Sequence, residues 1–137
     1  MSKTILIVDD EAHIRILMEQ TLEDLEDEGV ELITASNGAE ALSLIQTAKP
    51  DLVFLDVMMP KMNGFEVCQA VKQDTTIQHT YIIMLTAKGQ EFDQQQGRTA
   101  GANLYMTKPF DPDEVLGKAA EILAIAEAKG RFNQLLE

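Results

Sequence analysis

The sequence predicts an open α/β domain, a single parallel sheet of five strands with helices on both faces. Three observations carry that expectation. Five short runs rich in apolar residues, Thr4–Val8, Glu31–Ala35, Asp51–Asp56, Tyr81–Leu85 and Asn103–Thr107, have the length of strands, and most lack the alternation of a half-exposed one. Segments with helical spacing separate them. Each crossover has the ordinary length of a βαβ unit, so consecutive strands run parallel with right-handed connections.

Taken in order, Thr4–Val8 is β-branched and aliphatic and runs straight into Asp9-Asp10-Glu11. Ile14, Leu17, Met18, Leu22 and Leu25 then recur at helical spacing as far as Gly29, which predicts one continuous helix of about four or five turns. After the second strand, Asn37 followed by Glu40 marks a helix start before Ala41, Leu42 and Ile45, and Lys49-Pro50 ends that helix. Leu52-Val53-Phe54-Leu55, bounded by Pro50 and by Pro60, Asn63 and Gly64, reads as a strand buried on both faces that ends in Asp56. Phe65, Cys68 and Val71 mark the third helix, with Cys68 expected as a buried small side chain.

Tyr81–Leu85 closes on Thr86. Lys88–Ala100 carries Gln90, Gln94, Gln95, Gln96 and Gly97, with Phe92 its only large apolar residue, and predicts a weakly packed, mobile fourth helix. Asn103–Thr107 leads into Lys108-Pro109-Phe110. Pro112 suits a first helical position, and Val115, Leu116, Ala119, Ile122, Leu123 and Ala126 form a fifth apolar stripe toward Lys129-Gly130. Residues 1–129 read as one domain and 130–137 as a short tail, with no effector domain expected after Gly130.

Eleven Lys and Arg stand against twenty-three Asp and Glu, a formal net charge of −12, so a nucleic-acid backbone would be repelled and no direct DNA binding is expected. A single cysteine permits no internal disulfide, and no signal-type or membrane-length apolar segment is present, which together read as a cytoplasmic, soluble protein without membrane insertion. His13 and His79 have no ligand or triad partner at useful spacing.

Asp9, Asp10, Asp56, Thr86 and Lys108 all fall at predicted strand ends, the edge where open α/β sheets place their ligands. If the first and third strands are neighbours, three carboxylates converge, and each pair repels by roughly 4 kcal/mol at about 4 Å and an effective dielectric near 20. A cation is required: a hard divalent ion with oxygen ligands, Lys108, or both. No cluster of Cys or His suggests zinc. With its charge maintained, Asp56 could attack phosphorus, while a metal, Lys108 and the Thr86 hydroxyl share the phosphoryl oxygens.

The set Asp9-Asp10, Asp56 within LDVMMPKMNG, Thr86-Ala87 and Lys108-Pro109-Phe110, in this order, resembles the receiver domain of two-component response regulators over about Lys3 to Lys129. The resemblance implies the flavodoxin-like, doubly wound strand order 2-1-3-4-5 with five helices. It implies Asp56 as phosphoacceptor, taking phosphate from a sensor histidine kinase or a histidine phosphotransfer protein. Mg²⁺ would be held by Asp10, Asp56 and the Met58 carbonyl, with Asp9 acting mostly through water. Thr86 and Lys108 would clasp the phosphoryl group, Tyr105 would swing inward as Thr86 moves, and Lys108–Pro109 would be cis. A face made of the fourth helix, fifth strand and fifth helix would report the switch to a downstream effector protein. Ile14 and Leu17 match positions that dock the kinase, and Phe110 joins them as a partner-binding residue.

Two departures bear on assembly: Ala102-Asn103 stand where dimerising winged-helix regulators usually carry acidic residues, and Gln94 replaces a charge, so that mode of dimerisation is not expected. Met58 and Lys88 offer no carboxylate or amide to orient a hydrolytic water, which predicts slow self-dephosphorylation. Two rival readings are a phosphorylation-independent interaction module and an aspartyl-nucleophile phosphohydrolase. The second would want an acid/base carboxylate where Met58 stands, and the protein reads as a regulator rather than a turnover enzyme.

Overall fold

The structure, a computed structural model, describes residues 3–87 and 100–123. Five parallel strands form one sheet in the order β2-β1-β3-β4-β5, comprising β1 (Lys3–Val8), β2 (Val30–Ala35), β3 (Leu52–Asp56), β4 (Tyr81–Ala87) and β5 (Leu104–Lys108). This is the flavodoxin-like order that the resemblance implied. Among the described residues no helix is long and apolar enough to cross a membrane.

Successive side chains of a strand face opposite ways, so a strand covered on both sides feeds two cores at once. Ile5, Ile7, Leu52, Phe54, Ile83 and Leu85 pack with Met18, Leu22 and Val115 on one face. Leu6, Val8, Val53, Leu55, Ile82 and Met84 pack with Ala41, Ile45, Val67, Cys68 and Val71 on the other. The first layer is built by α1 (Ala12–Thr21), α2 (Glu23–Glu26) and α5 (112–123), the second by α3 (Gly38–Ala48) and α4 (Gly64–Gln73). All five residues of β3 are buried, each large aliphatic or aromatic side chain contributing about 1.5–3 kcal/mol.

Helix starts follow the sequence signals. The Asn37 side chain accepts from the Glu40 N–H at 2.9 Å, and Asn63 and Glu66 form a reciprocal capping box that the sequence reading did not single out. Pro112 is the first helical residue of α5, after Asp111, whose carboxylate accepts from the Asp113 N–H at 2.9 Å. The Lys108–Pro109 bond is cis, as the resemblance implied.

One element departs from expectation. The single helix expected from Ile14 to Leu25 is two, interrupted at Leu22 with ψ near 3°. The Thr21 hydroxyl donates to the Leu17 carbonyl at 2.7 Å, competing with the main-chain ladder at the last turn of α1. Met18, Leu22 and Leu25 nonetheless stay buried in one stripe. Residues 88–99 of the expected fourth helix, including Gln94 and Gly97, and the tail 130–137 lie outside the described residues.

Candidate functional site at the carboxyl edge of the sheet

Register fixes where the chemistry collects. Val8 of β1 lies opposite Leu55 of β3, Asp56 opposite Leu85 of β4, and Ala87 opposite Lys108 of β5, so Asp9, Asp56, Thr86 and Lys108 share one edge. The resulting cleft, of about 300 Å³, is lined among others by Asp10, Asp56, Met58, Ala87 and Lys108.

Within it the ligand atoms of Asp9, Asp10 and Asp56 lie within 4.8 Å of one another. Asp9 is fully buried, Asp56 is 4% exposed, and Asp10 is open to solvent. Lys108 Nζ stands 2.8 Å from Asp9 Oδ2 and 2.8 Å from Asp56 Oδ1. Burial pushes the Asp56 carboxyl up to about 6, against the pull of its Lys108 hydrogen bond and with repulsion from Asp9 and Asp10 adding to the rise. Burial by itself would lower Lys108, but its bonds to Asp56 and Asp9 hold it above the ordinary lysine value. One ammonium therefore leaves the three carboxylates under-neutralised.

An all-oxygen donor set of this kind, open on the Asp10 side and without Cys or His, fits a hard divalent cation of the Mg²⁺ type. Both Asp9 carboxylate oxygens already have partners, Oδ1 accepting the Glu11 N–H at 2.9 Å and Oδ2 facing Lys108. Met58 is 73% exposed at the cleft, on the loop between β3 and α4. That loop is held close at both sides: a Cβ on Gly64 would collide with the Asp56 carbonyl, and one on Gly38 with the Met62 carbonyl.

The remaining predicted residues are not all brought together. Leu85 and Ala87 line the cleft, but Thr86 between them does not. It is buried, and its Oγ1 has no hydrogen-bond partner among the described residues, an uncommon state for a buried hydroxyl. Tyr105 lies opposite Met84 and packs, partly buried, against the core on the α3–α4 side. Phe110 is partly buried against the other core, as is Ile14. Leu17, counted in the first helical stripe, is 42% exposed and so is not core.

Three features escaped the sequence. Ile16, 55% exposed, adjoins Leu17, and only its position off the apolar stripe could have flagged it. On α1, Arg15 Nη1 donates to the Asp9 carbonyl at 2.7 Å. In the last turn of α4, Lys72 Nζ donates to Gln78 O at 3.1 Å, Thr80 O at 2.6 Å and Asn103 Oδ1 at 3.0 Å. A basic residue in a helix signals a solvated surface unless the tertiary contacts are known.

Comparison with known proteins gives a consistent picture. A family model described as response regulator receiver domain matches residues 5–120. The alkaline phosphatase synthesis transcriptional regulatory protein PhoP of Bacillus subtilis is 48% identical over 127 residues, 93% of this chain and 51% of that protein. Protein PilG of Pseudomonas aeruginosa is 36% identical over 113 residues, covering 82% of each. The solved structure of the chemotaxis response regulator CheY4 of Vibrio cholerae is similar with a TM-score of 0.78 at 36% identity, over 89% of this chain and 99% of that one. The chain spans about half the length of PhoP and of the ycf27 regulators it also matches.

Proposed function

The chain belongs to the response regulator receiver domain family, and from that premise we propose that it is a phosphorylation switch in which Asp56 accepts a phosphoryl group. The donor is a phosphohistidine on a sensor histidine kinase or phosphotransfer protein. An Asp56 carboxylate oxygen forms the new bond to phosphorus as the bond to the donor imidazole breaks, the electron pair leaving with the imidazole, which then takes up a proton from solvent. Asp10, Asp56 and the Met58 carbonyl would hold Mg²⁺, with Asp9 beside them. When bound, the ion neutralises charge on the carboxylates and on the transferring group.

Lys108 and the Thr86 hydroxyl take phosphoryl oxygens. The observation that carries this reading is the unpartnered, buried Thr86 hydroxyl, one rung from Asp56 on β3 and from Lys108 on β5, at the edge where three carboxylates cluster. A phosphoryl group adds roughly −1.5 to −2 charge and strong acceptor oxygens, which gives that hydroxyl a partner. Thr86 then vacates space on its own face of the sheet, where Tyr105 packs, and the face around β5 and α5 changes for an effector protein. Met58 is a thioether where a phosphohydrolase would carry its acid/base carboxylate, which favours regulation over turnover.

Intact mass after incubation with acetyl phosphate and Mg²⁺ tests the reading. One phosphoryl group is gained by the protein, and none by Asp56→Asn or without the metal. Absence of the gain from both acetyl phosphate and phosphohistidine donors would overturn it.

A further inference from the structure

We propose that Arg15 is a positioning residue that fixes the direction of Asp10 toward a bound divalent cation; the inference rests on the metal reading above. Asp10 is exposed, so packing does not orient it. The direction in which its Cα–Cβ bond leaves the chain is set instead by the two peptide planes on either side of its Cα, between which φ and ψ are the only soft variables. Both planes are pinned. The plane before it carries the Asp9 carbonyl, which accepts from Arg15 Nη1 at 2.7 Å. The plane after it carries the Glu11 N–H, which donates to Asp9 Oδ1 at 2.9 Å. Behind both, the Asp9 N–H reaches the Ala35 carbonyl of β2 at 3.2 Å, and the Arg15 N–H bonds the Glu11 carbonyl at 3.2 Å, so the brace is anchored in the sheet and in α1.

The two cations at this edge act differently. Lys108 sits on carboxylate oxygens of Asp9 and Asp56, atoms of the kind a divalent ion also needs. Arg15 takes a main-chain carbonyl instead. This gives the inference a sign that charge alone does not. Loss of a cation beside an acidic cluster should tighten Mg²⁺ on Coulombic grounds, whereas loss of the brace frees Asp10 and weakens it. Outer-shell partners of this kind typically carry 10–100-fold in metal affinity, and about tenfold is expected here.

The test is Mg²⁺ titration calorimetry on the full chain, with amide exchange at Glu11 measured by NMR in the metal-free protein. Arg15→Met weakens Mg²⁺ about tenfold and speeds exchange at Glu11, while Arg15→Lys, which keeps charge and donor, recovers most of both. Arg15→Gln, too short to span to the carbonyl, takes the place of Arg15→Met if that variant does not fold. Unchanged or tighter Mg²⁺ binding overturns the inference, as does unchanged exchange at Glu11. Failure of the unmodified protein to bind Mg²⁺ would instead strike the functional reading itself, and the exchange data would still decide whether Arg15 braces the loop.

Discussion

Two lysines close opposite ends of the sheet, and they are satisfied in different ways. At the amino end, Lys72 donates to three neutral oxygens, those of Gln78, Thr80 and Asn103, which matches the three protons of an ammonium. Asn103 also accepts the Ile82 N–H at 2.8 Å, so the clasp ties the entrances of β4 and β5 together. Burial pulls Lys72 below the ordinary lysine value, with little opposing it but Cys68. At the carboxyl end, Lys108 faces two carboxylates with a third nearby; burial pushes the Asp56 carboxyl up, and the bonds to Asp56 and Asp9 hold Lys108 above the ordinary lysine value. An ammonium filled by neutral acceptors holds structure. An over-charged clasp has capacity left for a ligand.

The largest way to break this contrast is Lys108→Met. Stripping the cation from two buried carboxylates should cost about 3 kcal/mol of stability at pH 7.5, and loss of a phosphoryl-binding donor should slow phosphoryl uptake about 10²-fold. The stability loss should shrink at pH 5, where Asp56 takes up a proton, and on adding Mg²⁺; chemical denaturation at the two pH values reads both. Lys72→Met should cost about 2 kcal/mol, equally at pH 5 and 7.5, without response to Mg²⁺ and with phosphoryl uptake unchanged. A pH- or metal-sensitive loss at Lys72 would erase the distinction.

Asp56→Asn sharpens it further. The folded Asp56 binds its proton up to about pH 6, above its ordinary value of 3.8, so its contribution to stability falls as pH rises through that window. The amide has no such slope and should stabilise the metal-free fold by about 3 kcal/mol at pH 7.5, fading toward pH 4, as followed by thermal melting. The smallest effect is expected of Met58→Asn, which places an amide at the exposed rim of the cleft. It should shorten the phosphate lifetime several-fold and leave the melting temperature unmoved; an unchanged lifetime would remove Met58 from the account of slow dephosphorylation.

The elements most legible in the sequence were those with the sharpest physical penalty. Leu52–Leu55 is apolar at every position because both faces are covered, and a charge directly after such a run, Asp56, needs a reason. Strand ends were less legible: β2 starts at Val30, and β4 and β5 run on to Ala87 and Lys108, because ladder pairing rather than side-chain type decides the last rung. The break at Leu22 was hidden because the apolar stripe passes through it unchanged. Arg15 and Lys72 were hidden for another reason. A long flexible cation on a helix has the same sequence signature whether it is solvated or reaches across to another element, and only the placement of β1, β4 and β5 decides.

The pairing of Val8 with Leu55 and of Asp56 with Leu85 has a metrological consequence. Neighbouring strands sit about 4.8 Å apart because backbone hydrogen bonds set that pitch, so the sheet acts as a ruler whose graduations no side chain can redraw. The spacing of the strand ends that carry Asp9, Asp56 and Lys108 is thereby set by the main chain, and side-chain substitutions act within it. The same ruler makes the arrangement intolerant of slippage. Inserting one residue within Leu52–Leu55 would turn Asp56 onto the opposite face of the sheet and abolish the site, whereas residues added in the loops beyond either edge would leave the graduations where they are.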